Sequence, residues 1–465
     1  MAGLSAVTAD TLRRRTAPSL LCELARTRPG DVAFRAKRLG IYRERTWRDY
    51  ALLVARVAKA FADLGLHAGE RVAIIGETYE EWVICDLAAQ SLGAIVYGVY
   101  PTASAQEVEY QLRDGGAALC VVENQEYVDR IMPLIGRLAD LRDIVVIDNT
   151  AMFDYDHPKL KSYEALAAEA IADLDWLEQA ASRLTPDAPA FIVYTSGTTG
   201  HPKGALVAHG KHLAAVANLV SHYPTLAREP HCTIAYLPLC HVLGRDVAVT
   251  LPLISQVVPH FGEDAEDLTT TIFEVAPTVL FTVPRYLQKF AAQILVGIGN
   301  SSPLKRAAYD WALRTARAHV RRRWTGSDGG ALYALAHTLI FRPILNKLGF
   351  DALKLVLCGG APLPRETMAL WHMYGVNVVE MYGQTETAGG IVTGQRGPFP
   401  APGNVGTAPP GWAVRLSADR EVLVHSENLF EGYWANDAAT RSVKTEDGWF
   451  ARATLANGSA TRCGL

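Results

Sequence analysis

The run Tyr194-Thr-Ser-Gly-Thr-Thr-Gly-His-Pro-Lys-Gly204 places three glycines, four Ser/Thr hydroxyls and one lysine within eleven residues, directly after the apolar stretch Ala190-Phe-Ile-Val193. Gly197, Gly200 and Gly204 let a backbone approach a polyphosphate closely and take up positive φ. Successive N–H groups of such a loop form an anion nest. Thr195, Ser196, Thr198 and Thr199 supply hydroxyl donors, and Lys203 supplies a point charge. The spacing is not the G-x-x-x-x-G-K-[ST] of a P-loop NTPase, so a Walker-type ATPase is disfavoured. A plain glycine-rich turn is superficially similar and is the weaker reading. The run reads as a strand leading into a loop that binds nucleotide phosphate.

A second segment, Val378-Val-Glu-Met-Tyr-Gly-Gln-Thr-Glu386, is a short apolar strand breaking into Tyr382-Gly383-Gln384-Thr385-Glu386. Together the two motifs resemble the adenylate-forming superfamily: acyl-CoA synthetases, luciferases and the adenylation domains of peptide synthetases. The resemblance covers about residues 40 to 450 and includes Tyr100-Pro-Thr102, Leu237-Pro-Leu-Cys-His241, Pro284-Arg-Tyr-Leu-Gln-Lys289, Gly359-Gly-Ala-Pro362 and Asp447-Gly-Trp-Phe450. Tyr100-Pro-Thr102 and the Pro284-Arg285 segment look most like the long-chain fatty acyl-CoA synthetase branch.

The resemblance implies an ATP- and Mg²⁺-dependent, AMP-forming fatty acid–CoA ligase with coenzyme A as co-substrate. A carboxylate attacks the ATP α-phosphorus, giving acyl-adenylate and pyrophosphate, and a thiol then displaces AMP. The first step brings one anion onto another, so charge neutralisation and alignment must dominate. By resemblance, Thr195, Ser196, Gly197, Thr198, Thr199, Gly200 and Lys203 hold the β- and γ-phosphates. Thr385 meets the α-phosphate, and Glu386 ligates Mg²⁺, a hard ion suited to oxygen ligands. Tyr382 and Gly360-Ala361-Pro362 sandwich the adenine, Gly383 and Gln384 lie alongside, and His241 stands beside the substrate carboxylate and the thiol channel.

Rival readings attach to each residue. Glu386 alone could be a solvated loop carboxylate or a helix N-terminal charge, Tyr382 plain core, and His241 a buried structural histidine. Arg285 and Lys289 read equally as gate-region residues or as surface salt-bridge partners. Gly244 and Thr250-Leu-Pro-Leu-Ile254 are candidates for the acyl-pocket wall. Two other functions stay open: an acyl-AMP ligase that loads a carrier protein, and a non-catalytic nucleotide- or acyl-binding protein.

The elements that must carry these residues alternate. Arg71-Val-Ala-Ile-Ile-Gly76, Ala94-Ile-Val-Tyr-Gly-Val99, Ala118-Leu-Cys-Val-Val122 and Asp143-Ile-Val-Val-Ile147 are short apolar runs of the kind found in buried parallel strands. Helices are expected before and between them, including Glu80 to Leu92. That rhythm argues a doubly wound α/β layer, and Thr278–Thr282 with Lys354–Leu357 suggests a second. The fold expected is therefore α/β: two doubly wound subdomains over residues 41–410, after an N-terminal segment of residues 1–40. A Gly/Pro-rich stretch from Gly394 to Gly411 leads to a small β-barrel or sheet over 411–450. Between Leu304 and Trp324 a basic, Trp-containing stretch reads either as contact with an anionic membrane surface or as a solvated helix whose Leu304, Ala308, Trp311 face packs on the body. The second reading is favoured.

The chain has 465 residues, 49% hydrophobic and 20% charged, with a formal net charge of −3. It is long enough for two or more subdomains and exerts no general pull on nucleic acid. The seven cysteines lack C-x-x-C pairing and read as small buried hydrophobes of a reducing cytosol. Met1 to Leu20 lacks the apolar core of a signal peptide, and no run has the roughly 18 apolar residues of a membrane span. A cytoplasmic protein is expected.

After Asp447-Gly-Trp-Phe450 the family continues x-Thr-Gly-Asp, whose aspartate binds the ribose hydroxyls, then a hinge and a C-terminal domain carrying a catalytic lysine. Here Ala451 to Leu465 reads Ala-Arg-Ala-Thr-Leu-Ala-Asn-Gly-Ser-Ala-Thr-Arg-Cys-Gly-Leu, polar and unlike a strand. A codon choice exists whose frame two nucleotides on restores Thr-Gly-Asp, so a one-nucleotide deletion is one explanation and a natural alternative C-terminus the other. The expectation is a chain lacking its C-terminal domain, binding ATP and acyl group with weak or no acyl-CoA formation. Each lost electrostatic group would cost about 2–4 kcal/mol.

Overall fold

The computed structural model describes residues 8–195, 201–326 and 330–455. Ser196, Gly197, Thr198, Thr199 and Gly200 of the first motif lie outside the described residues, as does the chain beyond Leu455.

The largest sheet has eight strands. From one edge they run Leu160–Ser162, Asp143–Val146, Ala117–Val122, Arg71–Ile75, Ile95–Val99 and Pro189–Thr195, all parallel. Lys203–Ala208 and Gly432–Tyr433 then close the other edge in antiparallel pairing. Ile95–Val99 and Ala117–Val122 are buried at every position, as strands covered on both faces must be. The two-residue period sorts their side chains. Val72 and Ile74 join one apolar cluster with Trp82 and Val83, whereas Ala73 and Ile75 join another with Val108 and Tyr127.

Two further sheets of four strands adjoin it. One pairs Val279–Thr282, Leu355–Cys358 and Val378–Tyr382 in parallel, with Thr393–Gly394 antiparallel at its edge. The other pairs His231–Ala235, Val257–Phe261 and Val32–Arg38 in parallel, with Ile41–Thr46 antiparallel. The Thr278 N–H donates to the Cys232 carbonyl at 3.0 Å and joins the two. The expected subdomain past Gly411 is an antiparallel sheet of three strands, Ala413–Leu416, Glu421–His425 and Phe450–Leu455.

Two local expectations are corrected. Residues 451–455 are strand, although their sequence lacks the pattern of one. They pair with Glu421–His425, and the Ala451 N–H donates to the Val443 carbonyl at 2.7 Å, so backbone bonds place them. The basic stretch is the helix Pro303–Trp324, which packs through Tyr309, Ala312, Ala316 and Val320 with Trp311 partly buried beside them, as expected for Trp311 but not for Leu304. Leu304 is 80% exposed. Among the described residues no helix is long and apolar enough to cross a membrane.

Two helical runs widen into a π-turn, Asp246–Thr250 and His337–Phe341. In each a proline follows two positions on, Pro252 and Pro343. A proline donates no N–H and its ring collides with the carbonyl four residues back, and a wider turn relieves both. The first of these turns carries Asp246 to the wall of the site.

Candidate active site

The carboxyl ends of the parallel strands in both large layers point at one cavity of about 450 Å³. Tyr100 follows the strand ending at Val99, and Thr195 ends the strand beside it. From the second layer come Gly359 and Gly360, after the strand ending at Cys358, and Gly383, Gln384 and Thr385, after the strand ending at Tyr382. His241, Val242, Leu243 and Asp246 complete one wall, six to eleven residues after the strand His231–Ala235. A crevice beyond the carboxyl ends of parallel strands is where α/β folds bind their ligands.

The first motif is a hairpin. Thr195 pairs with Lys203 and Tyr194 with Gly204, so the chain returns as a strand where a P-loop would enter a helix. Gly204 is required by packing: a Cβ there would stand 2.6 Å from Cγ2 of Ile192. Lys203 places its ammonium 5.5 Å from the ring centre of Tyr433, in range of a cation–π contact.

The second motif forms a 3₁₀ turn over Thr385–Thr387. Gln384 N–H donates to Oγ1 of Thr387 at 3.2 Å, and that hydroxyl donates to the Gly390 carbonyl at 2.7 Å. Gly383 lies so close to this return that a Cβ would meet the Gly390 carbonyl at 2.8 Å. Gly360 has φ of +80° and is exposed with Ala361 and Pro362. Glu386 is fully buried and lies behind the wall, its Oε1 accepting the Tyr433 hydroxyl at 2.7 Å.

His241 caps the helix Val242–Arg245, its Nδ1 accepting from the Leu243 N–H at 3.2 Å. That bond leaves the proton of the neutral ring on Nε2. Burial lowers the pKa of His241 below the usual range, so the neutral ring is the form present near pH 7.

Of the sequence-predicted residues, Thr195, His241, Gly360, Gly383, Gln384 and Thr385 border the cavity. Lys203 and Glu386 meet through Tyr433. Arg285 and Lys289 are exposed and stand outside the cavity lining. Gly244 and Thr250–Ile254 are not its wall either. Gly244 packs on the Pro238 carbonyl, 2.2 Å from where a Cβ would stand, and Thr250 bonds Nε2 of His212 at 2.7 Å. The apolar wall is instead Leu219, Val242, Leu243 and Ile391. Sequence reasoning missed Tyr433 and Asp246, whose roles arise from contacts between distant segments and leave no local pattern.

The AMP-binding enzyme family model matches residues 22–434. The chain is 30% identical over 441 residues to the long-chain-fatty-acid–CoA ligase FadD15 of Mycobacterium tuberculosis, covering 93% of this chain and 70% of that protein. It is 26% identical over 431 residues to the long-chain-fatty-acid–CoA ligase ACSBG2 of Xenopus laevis, covering 90% and 58%. The fold is similar to the crystal structure of the anthranilate CoA ligase AuaEII in complex with anthranoyl-AMP, with a TM-score of 0.71, 21% identity, and 98% of this chain and 78% of that one covered. A cavity at the carboxyl ends of two parallel layers, edged by Thr195 and by Gly383, Gln384 and Thr385, and a family match over most of the chain agree: this protein belongs to the AMP-binding enzyme family.

Proposed function

We propose that the protein joins a long-chain fatty acid to ATP, forming acyl-adenylate and pyrophosphate, and then passes the acyl group to coenzyme A. The observation that carries this is the convergence of Thr195, His241, Gly360 and Gly383–Thr385 on one cavity. The names of the relatives at 30% identity give the acid its class.

In this reading the hairpin that ends at Thr195 and resumes at Lys203 holds the outer phosphates. Thr385 donates its hydroxyl to the α-phosphate, where negative charge builds as the carboxylate attacks. Gly360 and Gly383 leave room for the nucleoside, since side chains there would close the approach. His241 Nε2–H orients the carboxylate. It need not transfer a proton, because the carboxylate attacks the α-phosphorus as an anion and pyrophosphate leaves as one.

The donor for Mg²⁺ would be Glu386, a hard carboxylate next to Thr385. It is buried behind the cavity wall on the Tyr433 hydroxyl and would hold the ion once its other oxygen turns toward the phosphates. An ion held by one carboxylate and completed by phosphate oxygens is the ordinary arrangement for magnesium. When bound it would neutralise charge between the phosphates.

The helix Pro303–Trp324 presents Lys305, Arg306, Arg314, Arg317, Arg321 and Arg322 outward beside exposed Leu304. These charges are spread around the helix and are read as a solvated surface; salt-sensitive co-sedimentation with phosphatidylglycerol vesicles would assign them to an anionic bilayer instead.

The deciding assay is pyrophosphate release from ATP by the purified protein with hexadecanoic acid, followed by addition of coenzyme A or of an acyl carrier protein. Acid-dependent pyrophosphate with acyl-CoA formed supports the proposal. Transfer to the carrier alone assigns the acceptor differently. ATP or acyl-adenylate analogues that raise the melting temperature without pyrophosphate release would make the protein a binding module.

A further inference from the structure

Asp246 is 2% exposed, yet it borders the cavity. Its Oδ1 is buried without a hydrogen-bond partner among the described residues. The nearest ring is His212, with Nε2 at 3.7 Å, and the bonds that ring makes exclude it as a donor. His212 Nδ1 lies 2.7 Å from the Ala388 carbonyl, which only accepts, so the proton of the neutral imidazole sits on Nδ1. Nε2 is then a lone pair, satisfied by the Thr250 hydroxyl at 2.7 Å. Arg245, next in sequence, points elsewhere: its guanidinium bonds Asp86 and lies 4.1 Å over the Phe191 ring.

The position is built. The π-turn Asp246–Thr250, which Pro252 accounts for, begins at this residue and sets it on the cavity wall. Gly389, at φ of +88°, leaves the space that a Cβ would take 2.5 Å from Asp246 Oδ1. The flanking lining, Val242, Leu243, Leu219 and Ile391, is apolar. A buried carboxyl whose Oδ1 has no hydrogen-bond partner among the described residues, on a wall that also carries Val242, Leu243, Leu219 and Ile391, is an expensive feature for a pocket that receives a plain hydrocarbon.

We propose that Asp246 is a specificity-determining residue that recognises a hydroxyl group on the acyl chain, so that the preferred substrate is a hydroxylated long-chain acid. The proposal rests on the acyl-activating reading above. A neutral carboxyl both donates and accepts, as a hydroxyl does, and burial raises the Asp246 pKa well above the usual range. Asp246 lies five residues beyond His241 on one helical run, about 7 Å along its axis. With the carboxylate at His241, that distance points to a hydroxyl within the first half of the chain.

The test compares hexadecanoic acid with its monohydroxy derivatives, substituted near the carboxylate, in mid-chain and at the terminus. Pyrophosphate release is measured for the full chain and for Asp246→Leu and Asp246→Asn. A pocket that bonds a hydroxyl discriminates strongly against the chain lacking it. The expected result is at least a tenfold higher kcat/KM for one hydroxy acid. Asp246→Leu should abolish or reverse that preference, and Asp246→Asn, which keeps a donor and an acceptor, should retain most of it. Equal use of all acids by the unaltered protein, or equal losses for all acids in Asp246→Leu, would overturn the proposal. Calorimetric binding of the same acids decides the matter separately from turnover. If no acid releases pyrophosphate, the activation reading fails. A hydroxy acid bound at least tenfold tighter, with the difference lost in Asp246→Leu, then still upholds the role of Asp246, and equal binding overturns it.

Discussion

The Tyr433 hydroxyl donates to Oε1 of Glu386 at 2.7 Å across 47 residues of sequence. The same ring stands 5.5 Å from the Lys203 ammonium. One phenol thus connects the carboxylate expected to meet the metal with the cation expected to meet the phosphates. Its own position is fixed by backbone pairing, Tyr433 opposite Ala205 and Gly432 opposite Leu206. Tyr433→Phe keeps the ring and deletes the hydroxyl. A hydrogen bond to a charged group contributes about 1.5–3 kcal/mol. The expected outcome is a ten- to hundredfold loss in kcat/KM for pyrophosphate release, with a raised magnesium requirement and little change in ATP affinity. An unaltered magnesium titration would show that the phenol does not set the carboxylate.

Lys203 and Glu386 should fail differently. Lys203→Met removes a charge that acts on bound phosphate, so the KM for ATP should rise about tenfold while the magnesium dependence stays as it was. Glu386→Gln keeps the acceptor for Tyr433 but loses the anion. A loss of about 10²–10³ in kcat is expected, by analogy with removal of one preorganised electrostatic group. Magnesium titrations of both variants separate the roles, and identical profiles would argue against the assignment.

Much of this architecture could be read from the chain. Strands such as Ile95–Val99 and Ala117–Val122 are buried on both faces, and burial on both faces leaves an unbroken apolar run in the sequence. The hairpin pairing Thr195 with Lys203 and the turn after Tyr382 lie where the two motifs place them, because each motif is contiguous in sequence. The apolar side of the cavity could not be read, since Leu219, Leu243, Asp246 and Ile391 meet only when three distant segments fold together. Gly244 misled for a related reason: a small residue suits a substrate tunnel and a tight backbone contact equally, and here the Pro238 carbonyl occupies the space. The strand at Phe450–Leu455 left no side-chain pattern because backbone bonds to its neighbour hold it.

Acid should destabilise the protein earlier than its carboxylates alone would dictate. Burial lowers the pKa of His209 and of His212 to about 3, whereas an unfolded histidine titrates near 6.5. Between those values the unfolded chain binds more protons than the folded one, so stability rises with pH and is lost on acidification from about 6.5 downward. Asp86, pushed up to about 6 by burial, works in the opposite sense below that pH and offsets part of one histidine. The expected outcome is a melting temperature that falls steadily from pH 7.5 to pH 5. Neither ring nitrogen of His209 has a hydrogen-bond partner among the described residues. His209→Leu should therefore be tolerated at pH 7.5 and should flatten the slope. A slope unchanged in that variant would place the acid sensitivity elsewhere.

The wall that carries His241 and Asp246 is anchored by a buried ion pair. Arg245 is 3% exposed and Asp86 fully buried. The guanidinium bonds one Asp86 oxygen while Gln90 Nε2 donates to the other at 2.8 Å. Such a pair adds little net stability, because desolvation consumes most of the attraction, but breaking it strands a charge in the core. Arg245→Met should therefore cost about 3–5 kcal/mol in chemical denaturation. The double variant Arg245→Met with Asp86→Leu removes both charges and should recover to within about 1 kcal/mol of the unaltered protein. The guanidinium also covers the Phe191 ring at 4.1 Å, so a methionine, which keeps an unbranched apolar stem, is the right replacement for separating charge from packing. A double variant no more stable than Arg245→Met alone would assign the loss to that packing and not to the stranded aspartate.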